Sequence, residues 1–424
     1  MKTYKKRIAD DVLKRKLEGK SAVLIEGPKW CGKTTTAVQH AASILYMNDP
    51  ASMQQNISMA ELSPQLLLSG AAPRLIDEWQ LAPKLWDAVR FESDRRGEPG
   101  QFILTGSAVP PQTNEIKHSG TGRFAWMTMR TMSLFESDES SGEVSLRELF
   151  SSFGDVSGTA QSCDIARLAF FICRGGWPQA IGMRDEIALD QATDYFDGVI
   201  HSDIGRADGV AKNPERARRL MRSYARAQGS QTSFSAISKD LFGGDASLGD
   251  DTVSSYVSAL KKIFVIEDMP SWNPNLRSKT AIRSSDTRYY TDPSIAAAAL
   301  GVCPEDLLAD LNTMGLLFET LAVRDLRVYA ESLGGNVYHY RDKDGLECDA
   351  VIHMRNGSYC LAEIKLGGDM LIEEGAATLK TLAAKLDTSK MPSPSFLMVV
   401  TGMGNYAYRR KDGVLVVPIT ALKN

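Results

Sequence analysis

The stretch "GPKWCGKTTT", residues 27–36, follows the apolar run "AVLIE" (residues 22–26) and opens a segment of helical composition. Gly27 to Thr34 satisfy GxxxxGK[ST] at every fixed position, with the strand before and the helix after that the motif requires. Glycine is needed where backbone N–H groups close around phosphate oxygens with no Cβ in the way, which assigns Gly27 and Gly32. Lys33 supplies a point charge to the β- and γ-phosphates. The Thr34 hydroxyl is a Mg²⁺ ligand, and the next helix adds its N-terminal dipole. Pro28, Lys29 and Thr35 complete the expected nucleotide-contacting set. ATP with Mg²⁺ is the ligand this pattern predicts.

Outward from the loop, "ILYMN" (44–48), "RLIDE" (74–78), "QFILTG" (101–106) and "FAWMTM" (124–129) read as further strands. Most are separated by helix-length segments, the signature of a parallel α/β sheet. The strand in "RLIDEWQ" ends in two acids. In a P-loop ATPase the first holds Mg²⁺ and the second polarises the attacking water, so Asp77 and Glu78 take those roles. The next strand ends in Thr105 and Ser107, either of which can sense the γ-phosphate. An [NT]KxD base-recognition motif is absent, which favours an ATPase over a GTPase. Arg123 fits both a transition-state arginine and an exposed structural one.

The 424 residues, 43% hydrophobic and 24% charged, have an ordinary globular composition with room for two or three domains. A net charge of −3 makes any nucleic-acid surface a local patch. The six cysteines lack CxxC spacing, which argues against a zinc site and a disulfide framework. The charged start "MKTYKKRIADDVLKRKLEGK" is unlike a signal peptide, and no apolar stretch is long enough for a membrane helix. A cytoplasmic protein is the resulting expectation.

A polar, Ser/Gly-rich stretch over 137–162 marks the first boundary, giving an N-terminal domain over 1–150. Residues 164–300 are mostly helical in pattern. "SFSAISKDL" and "DTVSSYVSALKKIFVIEDM" read as two amphipathic helices and an apolar strand, compatible with a winged helix that binds DNA or only packs between domains. Arg216, Arg218, Arg219, Arg222 and Arg226 form a candidate phosphate-backbone patch, and a solvated or interdomain charged face explains them equally well. From about Leu307 a long helix, "LLADLNTMGLLFETLAVRDLRVYA", precedes a second set of strands.

In "GLECDAVIHMRNGSYCLAEIKLG" (345–367) acids lie on two consecutive strands joined by the turn "RNGS". Side chains alternate with period two, so Glu363 and Lys365 share a face. Asp349 on the neighbouring strand can converge with Glu363 on Mg²⁺, and Lys365 can orient water or stabilise a pentavalent phosphate. Glu319 on the preceding helix would complete the metal shell, and Glu347 could substitute as a ligand. An exposed charge pattern on a one-sided strand is the competing reading. This D-x₁₃-E-x-K arrangement is similar to the nuclease superfamily named for its PD-(D/E)xK motif.

Together, "LIEGPKWCGKTTTA", "LIDEWQLAPKLWDAVR", "FILTGSA", "GRFAWMTMRTMSLFES", "RGGWPQAI" and "YFDGVIHSDIGR" resemble a bacterial and archaeal group of AAA+-like P-loop ATPases. Its members carry a C-terminal domain of unknown function with a restriction-endonuclease-like core. The resemblance implies an α/β P-loop ATPase domain, a winged-helix-like middle over 164–300 and a nuclease-like end over 307–424. Thr131 and the Asp292-Pro293 pair depart from the group's usual residues. Two functions follow: an ATPase whose nucleotide state controls a metal-dependent phosphodiesterase, or an ATP switch whose nuclease-like domain only binds DNA, RNA or a protein.

Overall fold

The computed structural model describes residues 4–106, 119–151, 156–207, 209–242, 250–274 and 285–424. They fall into two compact units. The first comprises Met1–Thr131, Asp203–Ala211 and Ala259–Phe264, and the second Met132–Ser202, Lys212–Ser258 and Val265–Asn424.

In the first unit the elements run α1 (Ile8–Gly19), β1 (Ala22–Glu26), α2 (Lys33–His40), β2 (Ser43–Tyr46), α3 (Met53–Leu62), α4 (Pro64–Leu68), β3 (Arg74–Asp77), α5 (Lys84–Arg96), β4 (Phe102–Thr105) and β5 (Phe124–Thr128). The strands form one parallel sheet in the order β2-β3-β4-β1-β5. Every strand expected from the alternation of apolar runs is present. β1 is buried along most of its length because helices cover both its faces. Val23 and Ile25 meet Val12, Leu13 and Leu17 of α1 and Ala37 of α2, while Ala22 and Leu24 join Trp86, Val89 and Phe124 on the opposite side. Trp86 stacks on Phe124 at 4.0 Å between ring centroids. A parallel sheet ends all its strands on one edge, so the residues after β1, β3 and β4 are neighbours there. That edge carries Gly27, Asp77 and Thr105.

In the second unit β6 (Val144–Ser145), α6 (Leu146–Ser151), β7 (Gly158–Thr159), α7 (Ile165–Arg174), α8 (Asp185–Gly198), α9 (Pro214–Arg226) and α10 (Phe234–Phe242) come first. After α11 (Asp250–Lys262) the expected apolar strand is absent among the described residues, and single bridges form instead, Ile266 to Tyr290, Met269 to Thr287 and Ser271 to His339. The long helix expected from about Leu307 is two helices, α13 (Pro304–Ala309) and α14 (Leu311–Ser332), preceded by α12 (Pro293–Leu300). Asp310 causes the division, because its carboxylate accepts from the backbone N–H groups of Asn312 and Thr313 and caps a new helix. There follow β8 (Gly335–Arg341), β9 (Glu347–Met354), β10 (Tyr359–Lys365), α15 (Asp369–Lys385), β11 (Leu397–Thr401), β12 (Tyr406–Arg409), β13 (Leu415–Pro418) and β14 (Leu422–Lys423). A seven-stranded sheet runs β7-β12-β13-β11-β10-β9-β8, and β14 pairs with β6. α15 is the crossover that makes β10 and β11 parallel, and it lays Ile372, Ala376 and Leu379 on Val351, Leu361 and Val399.

Part of the "RGGWPQAI" segment has a structural explanation. Asp292, fully buried, accepts from the Gly176 N–H at 2.9 Å and from Arg324 at 3.1 Å, and Arg324 also pairs with buried Asp325 at 2.7 Å. Asp325 in turn accepts from the Leu134 N–H at 2.9 Å. A Cβ at Gly176 would lie 2.1 Å from the Met132 carbonyl oxygen, so only glycine fits. Buried charges of this kind are retained because each has a partner. Among the described residues no helix is long and apolar enough to cross a membrane, and the cysteines are free.

Candidate functional site

The loop between β1 and α2 is shaped by two glycines. Gly27 has φ 148°, and a Cβ there would stand 2.0 Å from the Met129 carbonyl oxygen. Gly32 has φ 103° and caps α2. Between them Trp30 adopts φ 65° with its side chain exposed. Lys33 is buried, its ammonium donating to the carbonyls of Gly27 and Pro28 at 2.8 and 2.7 Å. The charge is thereby held inside the loop where a phosphate would lie. Thr35 follows on the first turn of α2.

At the sheet edge, Asp77 is buried and shared. One carboxylate oxygen accepts from the Thr34 hydroxyl at 2.7 Å and from the Thr105 hydroxyl at 2.6 Å. This arises because β4 separates β1 from β3, so that Thr105 stands between loop and acid. The three groups are hard oxygen donors, which suits Mg²⁺. Of the two polar residues expected after β4, Thr105 is at the site, and Ser107 lies outside the described residues. Glu78 has φ 57°, a left-handed conformation that costs on the order of 1 kcal/mol for such a residue and turns it away from the strand direction. Burial raises its pKa, and the Gln80 amide, which donates to it, opposes that shift.

Other contacts had no signal in the sequence pattern. Arg7, buried just before α1, donates to the carbonyl of Cys31 within the loop at 2.9 Å and to that of Arg130 at 3.0 Å. Lys29 pairs with Asp203 at 2.5 Å. Arg123 is elsewhere: it precedes β5 at the opposite edge of the sheet and pairs with Asp94 at 2.5 Å. The length of β5, about 16 Å at roughly 3.3 Å per residue, separates that edge from the loop.

The second unit brings Asp349, Glu363 and Lys365 together. The β9–β10 ladder runs to the pair Ala350 and Ala362, and beyond it the Asp349 carboxylate accepts from the Ile364 N–H at 2.7 Å. Lys365 donates to Glu363 at 2.7 Å and to Asp349 at 3.2 Å. Glu363 is buried beneath α15, where Gly375 leaves room for it. Glu319 on α14 accepts from the hydroxyl of Tyr289. Gly229 packs on the same carboxylate, and a Cβ there would lie 2.9 Å from both oxygens. Tyr289, Gly229, Glu319, Asp349 and Glu347 line a small cleft. Glu347 pairs with Arg341 at 2.8 Å and is half exposed. Among the described residues no three acidic, imidazole or thiol groups are gathered closely enough to hold one metal ion. Asp349 and Glu363 instead share the Lys365 ammonium.

Burial, reinforced by the Asp349 charge, raises both Glu319 and Glu363 from 4.5 to about 8, and Lys365 opposes the shift. A carboxyl whose folded pKa is raised binds more protons folded than unfolded, so stability falls as pH rises from about 4.5 to about 8 and is level above. Glu363→Gln removes one such group. We expect its melting temperature, relative to the parent, to gain a few degrees at pH near 8 and to gain nothing near pH 4.5. Parallel melting curves for the two proteins across that range would refute the assignment.

Residues 19–137 match an AAA domain family, residues 165–306 a domain of unknown function (DUF8612) and residues 314–422 a domain of unknown function (DUF4143). Uncharacterized proteins Rv2008c of Mycobacterium tuberculosis and Mb2031c of Mycobacterium bovis are each 25% identical over 351 residues, covering 82% of this chain and 71% of theirs. The Walker-type ATPase PABY2304 of Pyrococcus abyssi aligns with a TM-score of 0.43 at 14% identity, over 70% of this chain and 96% of that one. Residues 19–137, which match the AAA domain family, carry the phosphate loop and the shared aspartate on one edge of a parallel sheet.

Proposed function

We propose that this protein is a Mg²⁺-dependent ATPase whose nucleotide state controls an acidic, nuclease-like site acting on nucleic acid. The observation that carries the ATPase part is the Asp77 carboxylate held by both Thr34 and Thr105 beside the Lys33 loop. Bound Mg²⁺ would neutralise phosphate charge there. The chain's own residues do the rest: Gly27 to Gly32 offer backbone N–H groups, Lys33 meets the β- and γ-phosphates, Thr34 and Asp77 supply oxygen ligands, and Glu78 orients and polarises the attacking water. At the second site Asp349, and Glu363 once it gives up its proton, would supply oxygens to a hard cation, Glu319 lines the neighbouring cleft, and Lys365 places an ammonium for phosphate charge.

One observation favours a second reading, in which the acidic site binds without cutting. Lys365 already satisfies both Asp349 and Glu363. Metal-dependent cleavage of DNA or RNA by the pure protein, with and without ATP, separates the two.

Lys33→Ala tests the ATPase reading directly. Removing a desolvated charge from its anion costs about 2–4 kcal/mol, a roughly 30- to 1,000-fold weaker Kd for ATP. Calorimetric titration should show this with the melting temperature little changed. Equal affinity in parent and variant would remove ATP from this loop.

A further inference from the structure

We propose that the outer face of α9 is a track for the phosphate backbone of a nucleic acid, leading to the cleft lined by Glu319, Glu347 and Asp349. The inference rests on the reading of that cleft as one that acts on nucleic acid. α9 is sharply two-faced: Ala217, Leu220, Met221, Tyr224 and Ala225 are buried, while Arg216, Arg219, Arg222 and Arg226 are exposed and Arg218 is half-buried. At about 100° per residue all five arginines fall within an arc of roughly 160°, and at 1.5 Å per residue they extend over about 15 Å. Such a strip matches several consecutive phosphates of a nucleic-acid strand.

Ion pairing does not account for the face. Arg218 meets Asp197 at 2.9 Å and Arg226 meets Asp240 at 2.6 Å, but Arg216, Arg219 and Arg222 have no carboxylate partner among the described residues. Three guanidiniums with no carboxylate partner among the described residues, on one helix face of a chain with net charge −3, are a local concentration of positive charge. Guanidinium is also the cation best suited to phosphate, being planar and able to donate two hydrogen bonds in parallel.

Position supplies the second argument. α9 ends at Arg226, and Gly229, three residues on, packs against the Glu319 carboxylate. Three residues of chain span at most about 11 Å, so the C-terminal end of the arginine strip lies within that distance of Gly229, which lines the cleft beside Glu319. Gln231 lines the same cleft. The face is therefore suited to hold the polymer while the acids meet one phosphodiester.

The test is binding of the full-length protein to short fluorescein-labelled duplex DNA, single-stranded DNA and RNA, by anisotropy. It is run in EDTA without nucleotide, so that neither ATP use nor cleavage enters. For the parent, log Kobs should fall linearly with log salt between about 50 and 200 mM. In the triple variant Arg216→Ala, Arg219→Ala, Arg222→Ala the affinity should drop at least about tenfold and the slope should decrease by roughly 2 to 3. The triple lysine variant should retain the slope, because charge is kept. These side chains are exposed, so melting temperatures should match the parent. Binding to DNA alone, RNA alone or both supports the track and identifies its polymer. A parent that binds none of the probes at the lowest salt, an alanine variant with parental affinity and slope, or a lysine variant whose slope falls as far as the alanine variant's would overturn it. Loss of ATPase or nuclease activity elsewhere would leave this result standing.

Discussion

Glu78→Gln is expected to bind ATP as the parent does and to hydrolyse it roughly 10²- to 10⁴-fold more slowly, the usual range for loss of a general base. The substitution is nearly isosteric. An amide can hydrogen-bond a water but cannot take its proton, so ground-state affinity is preserved and kcat carries the loss. The structure bears on this in two ways. The left-handed backbone at Glu78 turns the side chain off the end of β3, apart from Asp77, which is committed to Thr34 and Thr105. The Gln80 amide donates to Glu78, so the carboxylate is held by a neutral neighbour two residues along the chain. Asp77→Asn should behave differently, weakening Mg²⁺-dependent binding as well as turnover, since its oxygen is shared by two hydroxyls. Steady-state phosphate release together with ATP titration separates the two variants. Parental turnover in Glu78→Gln would assign the water to another residue.

Asp349→Ala should abolish any metal-dependent cleavage of nucleic acid, with a loss of roughly 10²-fold or more, the lower end of what loss of an activating group costs. Asp349 does two jobs at once, accepting from the Ile364 N–H where the strands part and from Lys365. Asp349→Asn keeps an acceptor for the Ile364 N–H while losing the charge, and so distinguishes a ligand from a strand clamp. Lys365→Ala should split the effects, retaining Mg²⁺ or Mn²⁺ binding in calorimetry while losing rate. Removing the ammonium also leaves Glu363 and Asp349 without their common counter-charge, so metal affinity in this variant should rise if the two acids are ligands. ATP binding should be parental in all three variants. If the parent neither binds Mg²⁺ or Mn²⁺ at this site nor cleaves DNA or RNA, with or without ATP, the cleft is a binding site only.

Local chemistry made much of the first unit readable. Gly27, Gly32, Lys33 and Thr34 are fixed by what a phosphate demands of a short loop, and each apolar run from "AVLIE" to "FAWMTM" became a strand because helices bury both faces of the sheet. In the second unit, period-two alternation sufficed to pair Glu363 with Lys365, and the turn "RNGS" brought Asp349 alongside. Composition could not show which groups would satisfy one another across long separations. The strand order that inserts β4 beside β1 and so sets Thr105 on Asp77, the burial of Arg7 against the loop carbonyls, and the distance of Arg123 from that loop are consequences of topology. The break at Asp310 depended on a side chain outcompeting helix continuation, a choice that apolar periodicity does not register. At the acidic cleft the sequence named the carboxylates, while their state was decided by tertiary structure. Burial and the Asp349 charge raise the pKa of Glu363 and Glu319, with the Tyr289 hydroxyl opposing the shift at Glu319, because the energy of a charge depends on everything packed around it and not on its neighbours in the chain.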